Sequence, residues 1–245
     1  MELIRTQPGE EFARTGASLI AQWLRDRPDA LLVPAIGRTP TGIYSHLVDL
    51  HRASMLDTRR LRVAQLDEYL GVGVEDPRSL IGWLLRDLCD PLGVEPEGTI
   101  RLDATADDPS KSCRAYEDAV KEAGGIDIAI LGLGRNGHIG FNEPPSGPDA
   151  RTRVVDLSLS SRRTSRGYWT GSLPVPSHAL TAGMDLLLGA RRTLVVVSGA
   201  DKKAILRRTL HGPQSPDVPA SLLRSNPGVT LLADEQAWPD TSTSR

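Results

Sequence analysis

The sequence predicts an α/β protein, a three-layer, mostly parallel, Rossmann-like sheet with helices on both faces. Short unbroken apolar runs are the first reason: LLV at 31–33, IAIL at 128–131 and TLVVV at 193–197 suit strands covered on both sides. These runs also alternate with longer segments whose apolar residues recur at helical spacing, the order that joins parallel strands by crossover helices. Finally, no Pro/Gly-rich linker, internal repeat or low-complexity stretch divides the 245 residues, so 1–245 reads as one domain. A chain of this length buries about three quarters of its unfolded surface.

Taken in order, residues 10–25 carry Phe12, Leu19, Ile20, Trp23 and Leu24 at helical spacing and stop before Pro28. A strand at 30–33 runs into PAIGRTPTG at 34–42. There Thr39 is expected to cap a helix with Pro40 at its first position, and residues 43–50 supply the apolar face. A glycine, a hydroxyl and a helix N-terminus behind a buried strand form an anion site at Gly37, Arg38 and Thr39, with Arg38 adding charge. The next strand, 61–66, leads into Asp67 and Glu68. Neighbouring strand residues point to opposite faces, so one of these two acids faces a given pocket. A helix at 79–88, a short strand at 99–102, a polar loop at 103–108 and a helix at 109–122 follow.

The strand at 126–131 then feeds GLGRNGHIGFNEP at 132–144. Gly132, Gly134 and Gly137 spell GxGxxG, but Pro144-Pro145 preclude the helix that a dinucleotide fingerprint opens. The glycines instead let the backbone turn sharply and approach a ligand, Gly137 among them. His138 and Glu143 are placed to reach a pocket at the C-terminal end of the strand, where open α/β sheets bind ligands. Residues 146–177 are rich in Arg, Ser, Thr, Gly and Pro and read as a lid. Its Arg151, Arg153, Arg162, Arg163 and Arg166 suit an anionic ligand, and Tyr168-Trp169 can cover it. A helix at 179–190 and a strand at 192–197 come next. SGADKK at 198–203 opens a helix to 210 and makes a second anion site with Lys202. A short helix at 218–224, a last strand at 229–233 and a frayed tail at 239–245 close the chain.

Composition narrows the function. A formal net charge of -2 argues against nucleic-acid or anionic-membrane partners, and 4% aromatic residues leave few platforms for stacking bases. Cys89 and Cys113 lie far apart without metal-ligand spacing and read as reduced thiols. MELIRTQPGEEF has no apolar signal core and no stretch approaches membrane-spanning length, so a cytoplasmic protein is expected. A carboxylate, an imidazole and phosphate-type sites at strand ends point to proton transfer on a phosphorylated small molecule.

Four stretches carry a resemblance: QLDEYLGV at 65–72, GLGRNGHIGFNEP at 132–144, VPSHALTAG at 175–183, and SGADKKA at 198–204 followed by HGP and PASLL. In this order, and over nearly the whole chain, they resemble the glucosamine-6-phosphate deaminase/isomerase family. The related 6-phosphogluconolactonases share the fold and a Gly-His but lack the Leu-Asp-Glu-Tyr. The resemblance implies ring opening of an amino-sugar 6-phosphate, movement of a proton between C2 and C1, and release of ammonia to give fructose 6-phosphate. It implies no metal or organic cofactor. Asp67 matches the base, and His138 the group that works on the ring oxygen and the C1 hydroxyl. Glu143 matches the carboxylate partner of that histidine, and Lys202 the phosphate lysine.

Departures surround the sugar and its phosphate. Asn136 stands two residues before the histidine, where some members carry Asp; it accepts a hydrogen bond but cannot stabilise an imidazolium by charge. The usual Thr-Gly-Ser/Gly-Thr-Pro reads Ile36-Gly37-Arg38-Thr39-Pro40 here. The lid's usual phosphate arginine aligns near Gly167, which leaves Arg166 or Arg38 to take over. The expected site is therefore Asp67, His138, Glu143 and Asn136 for catalysis, with Gly37, Arg38, Thr39, Glu68, Gly137, Arg166 and Lys202 binding substrate. An alternative outcome of the same C2 deprotonation is loss of the C3 hydroxyl from N-acetylglucosamine 6-phosphate, a lyase reaction that the more apolar Ile36 would tolerate. A non-catalytic phosphosugar sensor and a lactonase rank lower. The chain lacks the longer C-terminal part of the allosteric hexameric deaminases, so a monomer or small homo-oligomer is expected.

Overall fold

The computed structural model describes residues 1–167 and 173–239; Tyr168-Trp169 and most of the tail lie outside them. In chain order the elements are β1 (Glu2–Thr6), α1 (Glu10–Asp26), β2 (Leu31–Pro34), α2 (Arg38–Arg52), β3 (Arg62–Ala64), β4 (Asp67–Tyr69) and α3 (Leu80–Leu84). A π-helical turn (Leu85–Cys89) extends α3. Then come β5 (Thr99–Ile100), α4 (Pro109–Glu122), β6 (Ile128–Gly132), β7 (Arg153–Asp156), α5 (Leu159–Ser165) and β8 (His178–Thr181). The chain ends with α6 (Met184–Leu188), β9 (Arg192–Val197), α7 (Lys203–His211), a 3₁₀ segment (Pro219–Ser225) and β10 (Val229–Asp234).

Seven strands form one parallel sheet in the order β1-β10-β9-β6-β2-β3-β5. Alternate residues of each strand serve opposite faces. On β6, Ile128 and Ile130 pack with Ile20, Leu24, Leu47 and Leu84 of the helices on one side. Ala129 and Leu131 pack with Tyr116, Ile205, Leu206 and Leu223 on the other. Two separate apolar clusters thus clamp the sheet, which is why its strands read as continuous hydrophobic runs. The expected three layers are present.

A second, three-stranded antiparallel sheet, β4-β8-β7, stands beside the C-terminal ends of the parallel strands. It corrects two readings. Residues 179–190 are not one helix: His178–Thr181 pairs between β4 and β7, and only Met184–Leu188 is helical after Gly183. Cross-strand partners decided this against the local spacing. Residues 146–177 likewise contain β7 and α5, so only part of that polar segment can cover a pocket. At α2 the cap is Gly37, and Arg38 rather than Pro40 opens the helix. Thr39 and Pro40 therefore sit inside the first turn, where a missing N–H costs no intrahelical bond. β1 escaped the sequence because adjacent Leu3 and Ile4 break the alternation that marks a strand, and most of its residues are exposed, as befits a sheet edge.

Candidate active site

A cavity opens at the C-terminal ends of β2, β6 and β9, between α2, the loop after β6, β4 and α5. Among its lining are Gly37, Arg38 and Thr39, Asp67, Asn136, His138 and Lys202. The sequence-predicted residues from four separate strand ends thus meet in one place. Tyr69, Leu80, Phe141 and Ile36 add an apolar wall, with Tyr69 and Phe141 rings 5.4 Å apart.

Asp67 and Glu68 have opposite fates. Asp67 faces the cavity while its residue is only 7% exposed, and no hydrogen bond shifts its carboxyl. Burial, helped by the neighbouring Glu68 charge, pushes it up to about 8. Glu68 points away, and its carboxylate accepts from five donors: Gln65 Nε2, Tyr69 N, Ser79 Oγ, Leu80 N and Ile81 N, at 2.8–3.1 Å. It anchors the N-terminus of α3, where the helix dipole favours an anion. Glu68, expected to bind substrate, therefore lies off the cavity lining. Strand alternation turned it out of the cavity.

His138 is held by its own loop. A Cβ on Gly134 would lie 2.2 Å from the His138 ring, so this position must be glycine for the imidazole to occupy its place. The His138 backbone N–H donates to Asn136 Oδ1 at 3.2 Å, while Nδ1 is buried without a hydrogen-bond partner. Burial holds the imidazole down at about 4, outweighing the upward pull of the Glu143 charge. The ring is therefore neutral at physiological pH. Glu143 stands behind it and off the cavity lining, accepting from Asn136 Nδ2 at 3.4 Å and from Ser158 N at 3.2 Å. It acts on His138 through its charge and not through a direct hydrogen bond.

Gly137, also expected at the substrate, likewise lies off the cavity lining. Its φ of 92° requires glycine, its N–H donates to the Gly134 carbonyl and its carbonyl accepts from Ala220 N. The N–H closes the turn, and the carbonyl ties the loop to the 3₁₀ segment at 219–225.

The cationic rim differs from the expected one. Arg166 is exposed and lies off the cavity, and no other lid arginine lines it. Arg151 forks onto the buried Glu117 of α4, Arg153 reaches Asn142 and Ser146, and Arg162 donates to the Val175 carbonyl. What α5 presents instead is a face of hydroxyls: Ser160, Ser161, Thr164 and Ser165. Their i, i+1, i+4, i+5 spacing behind the Ser158 cap was a readable signal. Among the described residues the cations at the cavity are Lys202, Arg38 and Arg135, the last not among the residues expected there. Lys202 Nζ donates to the Leu133 carbonyl at 2.7 Å, and burial lowers its pKa. Arg38 reaches across to the Gly167 carbonyl at 2.5 Å, and Arg135 pairs with Asp201 at 2.8 Å. With the uncapped N-terminus of α2, these groups suit a phosphate. Among the described residues no cluster of His, Cys, Asp or Glu suits a metal ion, and no helix is long and apolar enough to cross a membrane.

Proton transfer on a small anionic molecule is the chemistry this combination serves, which makes the chain an enzyme of the deaminase/isomerase type. The comparisons agree. The family model of glucosamine-6-phosphate isomerases/6-phosphogluconolactonase matches residues 6–232. A glucosamine-6-phosphate deaminase of Streptomyces coelicolor is 38% identical over 97% of this chain and 91% of its own length. Glucosamine-6-phosphate deaminase 1 of Bacillus subtilis is 36% identical over 97% and 98%. Among solved structures, a monomeric glucosamine-6-phosphate deaminase superposes with a TM-score of 0.93 at 36% identity, over 97% of this chain and 98% of that one. The 6-phosphogluconolactonase of Thermotoga maritima shares the fold, with a TM-score of 0.75 at 19% identity over 95% and 99%. The chain belongs to the glucosamine-6-phosphate isomerase/6-phosphogluconolactonase family.

Proposed function

We propose that this enzyme is a glucosamine-6-phosphate deaminase, converting glucosamine 6-phosphate and water to fructose 6-phosphate and ammonia. The observation that carries the reading is the pairing of a desolvated carboxyl, Asp67, with a neutral imidazole, His138, on one cavity whose rim is cationic. The related deaminases support the same choice of substrate.

In this reading the phosphate sits against Lys202, Arg38 and the first turn of α2, with Gly37 and Thr39 lining that end. His138 shuttles the proton between the C1 hydroxyl and the ring oxygen to open the sugar, a task for an imidazole that is neutral at rest. Asp67 takes the proton from C2 and returns it to C1. The amine-bearing C2 becomes an imine, water adds to it, and ammonia leaves as the ketone forms. A carboxylate in an apolar setting is a strong base, so the same burial that raises the Asp67 pKa drives C2 deprotonation. Asn136 orients the loop and Glu143 tunes the imidazole. The hydroxyl face of α5 forms the lid. Of the expected monomer or small homo-oligomer, the monomer is supported by the likeness to the monomeric deaminase, and the chain is read as cytoplasmic.

The test is proton and phosphorus NMR of purified protein with glucosamine 6-phosphate, then with N-acetylglucosamine 6-phosphate. Fructose 6-phosphate and ammonia from the first is the expected outcome. A new vinyl proton from the second, with the first untouched, would replace deamination by elimination. The apolar wall beside Asp67 is the observation that keeps this lyase arm in the experiment.

A further inference from the structure

Glu143 reaches His138 through space and not through a hydrogen bond, so its effect depends on where the loop puts it. What holds it there is a side chain of β7. Arg153 Nη1 donates to Asn142 Oδ1 at 2.9 Å and to the Arg151 carbonyl at 3.0 Å, while Nη2 donates to Ser146 Oγ at 3.0 Å. Ser146 Oγ in turn donates to the Glu143 carbonyl at 2.5 Å. Asn142, fully buried, uses its Nδ2 on the Ala182 carbonyl at 2.8 Å and the Ile139 carbonyl at 3.2 Å. One planar guanidinium thus grips the residues on both sides of Glu143, one directly before it and one three places after it.

The strand that carries Arg153 is itself anchored at its N-terminal end. Arg151 and the Thr152 N–H both bind the buried Glu117 carboxylate of α4, and Thr152 Oγ1 accepts from Gly183 N. The fork therefore starts from a rigid base. Residues 151 and 153 were expected to recruit an anion; the structure spends both on the protein.

We propose that Arg153 is a positioning residue of the reaction, fixing Glu143 behind His138 by holding Asn142 and Ser146 together. It touches neither the cavity nor the imidazole and acts through the loop. This rests on the role given to His138 and Glu143 above. A lysine cannot replace it, because one ammonium cannot present two parallel donors to two acceptors.

The experiment is a double-mutant cycle with a substrate-free readout beside it. Arg153→Ala is expected to lower kcat about 10-fold or more, leaving KM within about twofold, the signature of a misplaced catalytic group. Arg153→Lys stays low. In an Glu143→Gln background the same Arg153→Ala change costs less than about twofold, because the residue acts through Glu143. An equal cost in both backgrounds, or full recovery with lysine, overturns the proposal. Ser146→Ala removes only the hydroxyl between Arg153 and Glu143 and keeps the test open should Arg153→Ala fail to fold. It is expected to lower kcat in the same direction. Independently of substrate, the NMR titration of the His138 ring, assigned with His138→Gln, is expected to move in both variants while thermal unfolding stays cooperative. An unmoved titration overturns the proposal even if turnover falls. Absence of wild-type turnover on glucosamine 6-phosphate, with the titration moved, would instead count against the function proposed above and leave the strut standing.

Discussion

The two sides of the cavity treat their charged groups in opposite ways. On the chemical side, Asp67 has no hydrogen bond shifting its carboxyl and His138 has a buried Nδ1 with no partner. On the anion side, every cation is occupied: Lys202 by the Leu133 carbonyl, Arg38 by the Gly167 carbonyl and Arg135 by Asp201. Unpaired groups in dry surroundings are reactive, because burial forces proton affinities far from their solution values. Paired cations on an open rim are exchangeable, because a dianionic phosphate outcompetes a carbonyl for the same donors. Reactivity and binding are thus bought from different environments within one pocket.

The sharpest break of that contrast is Asp67→Asn, which keeps the shape and removes the base. Turnover is expected to fall about 10²–10⁴-fold. In wild type, kcat/KM is expected to climb with pH towards a plateau above about 8, the pH at which Asp67 loses its proton. An acid limb near the ordinary carboxylate value of 3.8 would contradict the dry-base picture. The stability test runs the other way. The folded chain keeps the Asp67 proton to about pH 8, whereas the unfolded chain releases it near 3.8, so this residue costs stability as pH rises between the two. Asp67→Asn is expected to melt above wild type at pH 8 and level with it at pH 4.

Next in size is Gly134→Ala, whose added methyl would need the space of the His138 ring. Displacing the imidazole by an ångström costs about 10²-fold in kcat, measurable against an unchanged phosphate-competition constant. On the other side, Lys202→Ala should weaken substrate binding by about 1.5–3 kcal/mol, read as a rise in KM with kcat nearly preserved. An unchanged KM would remove Lys202 from the phosphate end. Smallest is Arg38→Ala. Its exposed guanidinium is screened by solvent, so about 1 kcal/mol of binding is expected, with a steeper salt dependence in wild type than in the variant. Loss of kcat without loss of affinity would show that Arg38 belongs to the chemical side instead.

Much of this was legible in the chain itself. Strands covered on both faces need unbroken apolar runs, so the parallel sheet announced itself at 31–33, 128–131 and 193–197. The expected helix at 109–122 matches α4 to the residue, and the structure shows Asp108 as its cap with Pro109 at its first position. Asp67, His138 and Lys202 were readable as candidates because each follows a buried strand, and strand ends are where such sheets bind ligands; their roles came from the resemblance. Long-range pairing decided the rest. HALT at 178–181 is a strand only because β4 and β7 flank it, and local spacing cannot report a partner more than twenty residues away. The arginines of 146–177 looked like an anion trap by composition, yet Arg151 and Arg153 are spent on Glu117, Asn142 and Ser146, and only the folded chain shows those acceptors beside them. Sequence determines which groups are available and on which side of a strand they point. Whether a group is left unpaired and reactive, or paired and structural, depends on what the tertiary fold brings within about 3 Å of it, since hydrogen bonds act only at that range.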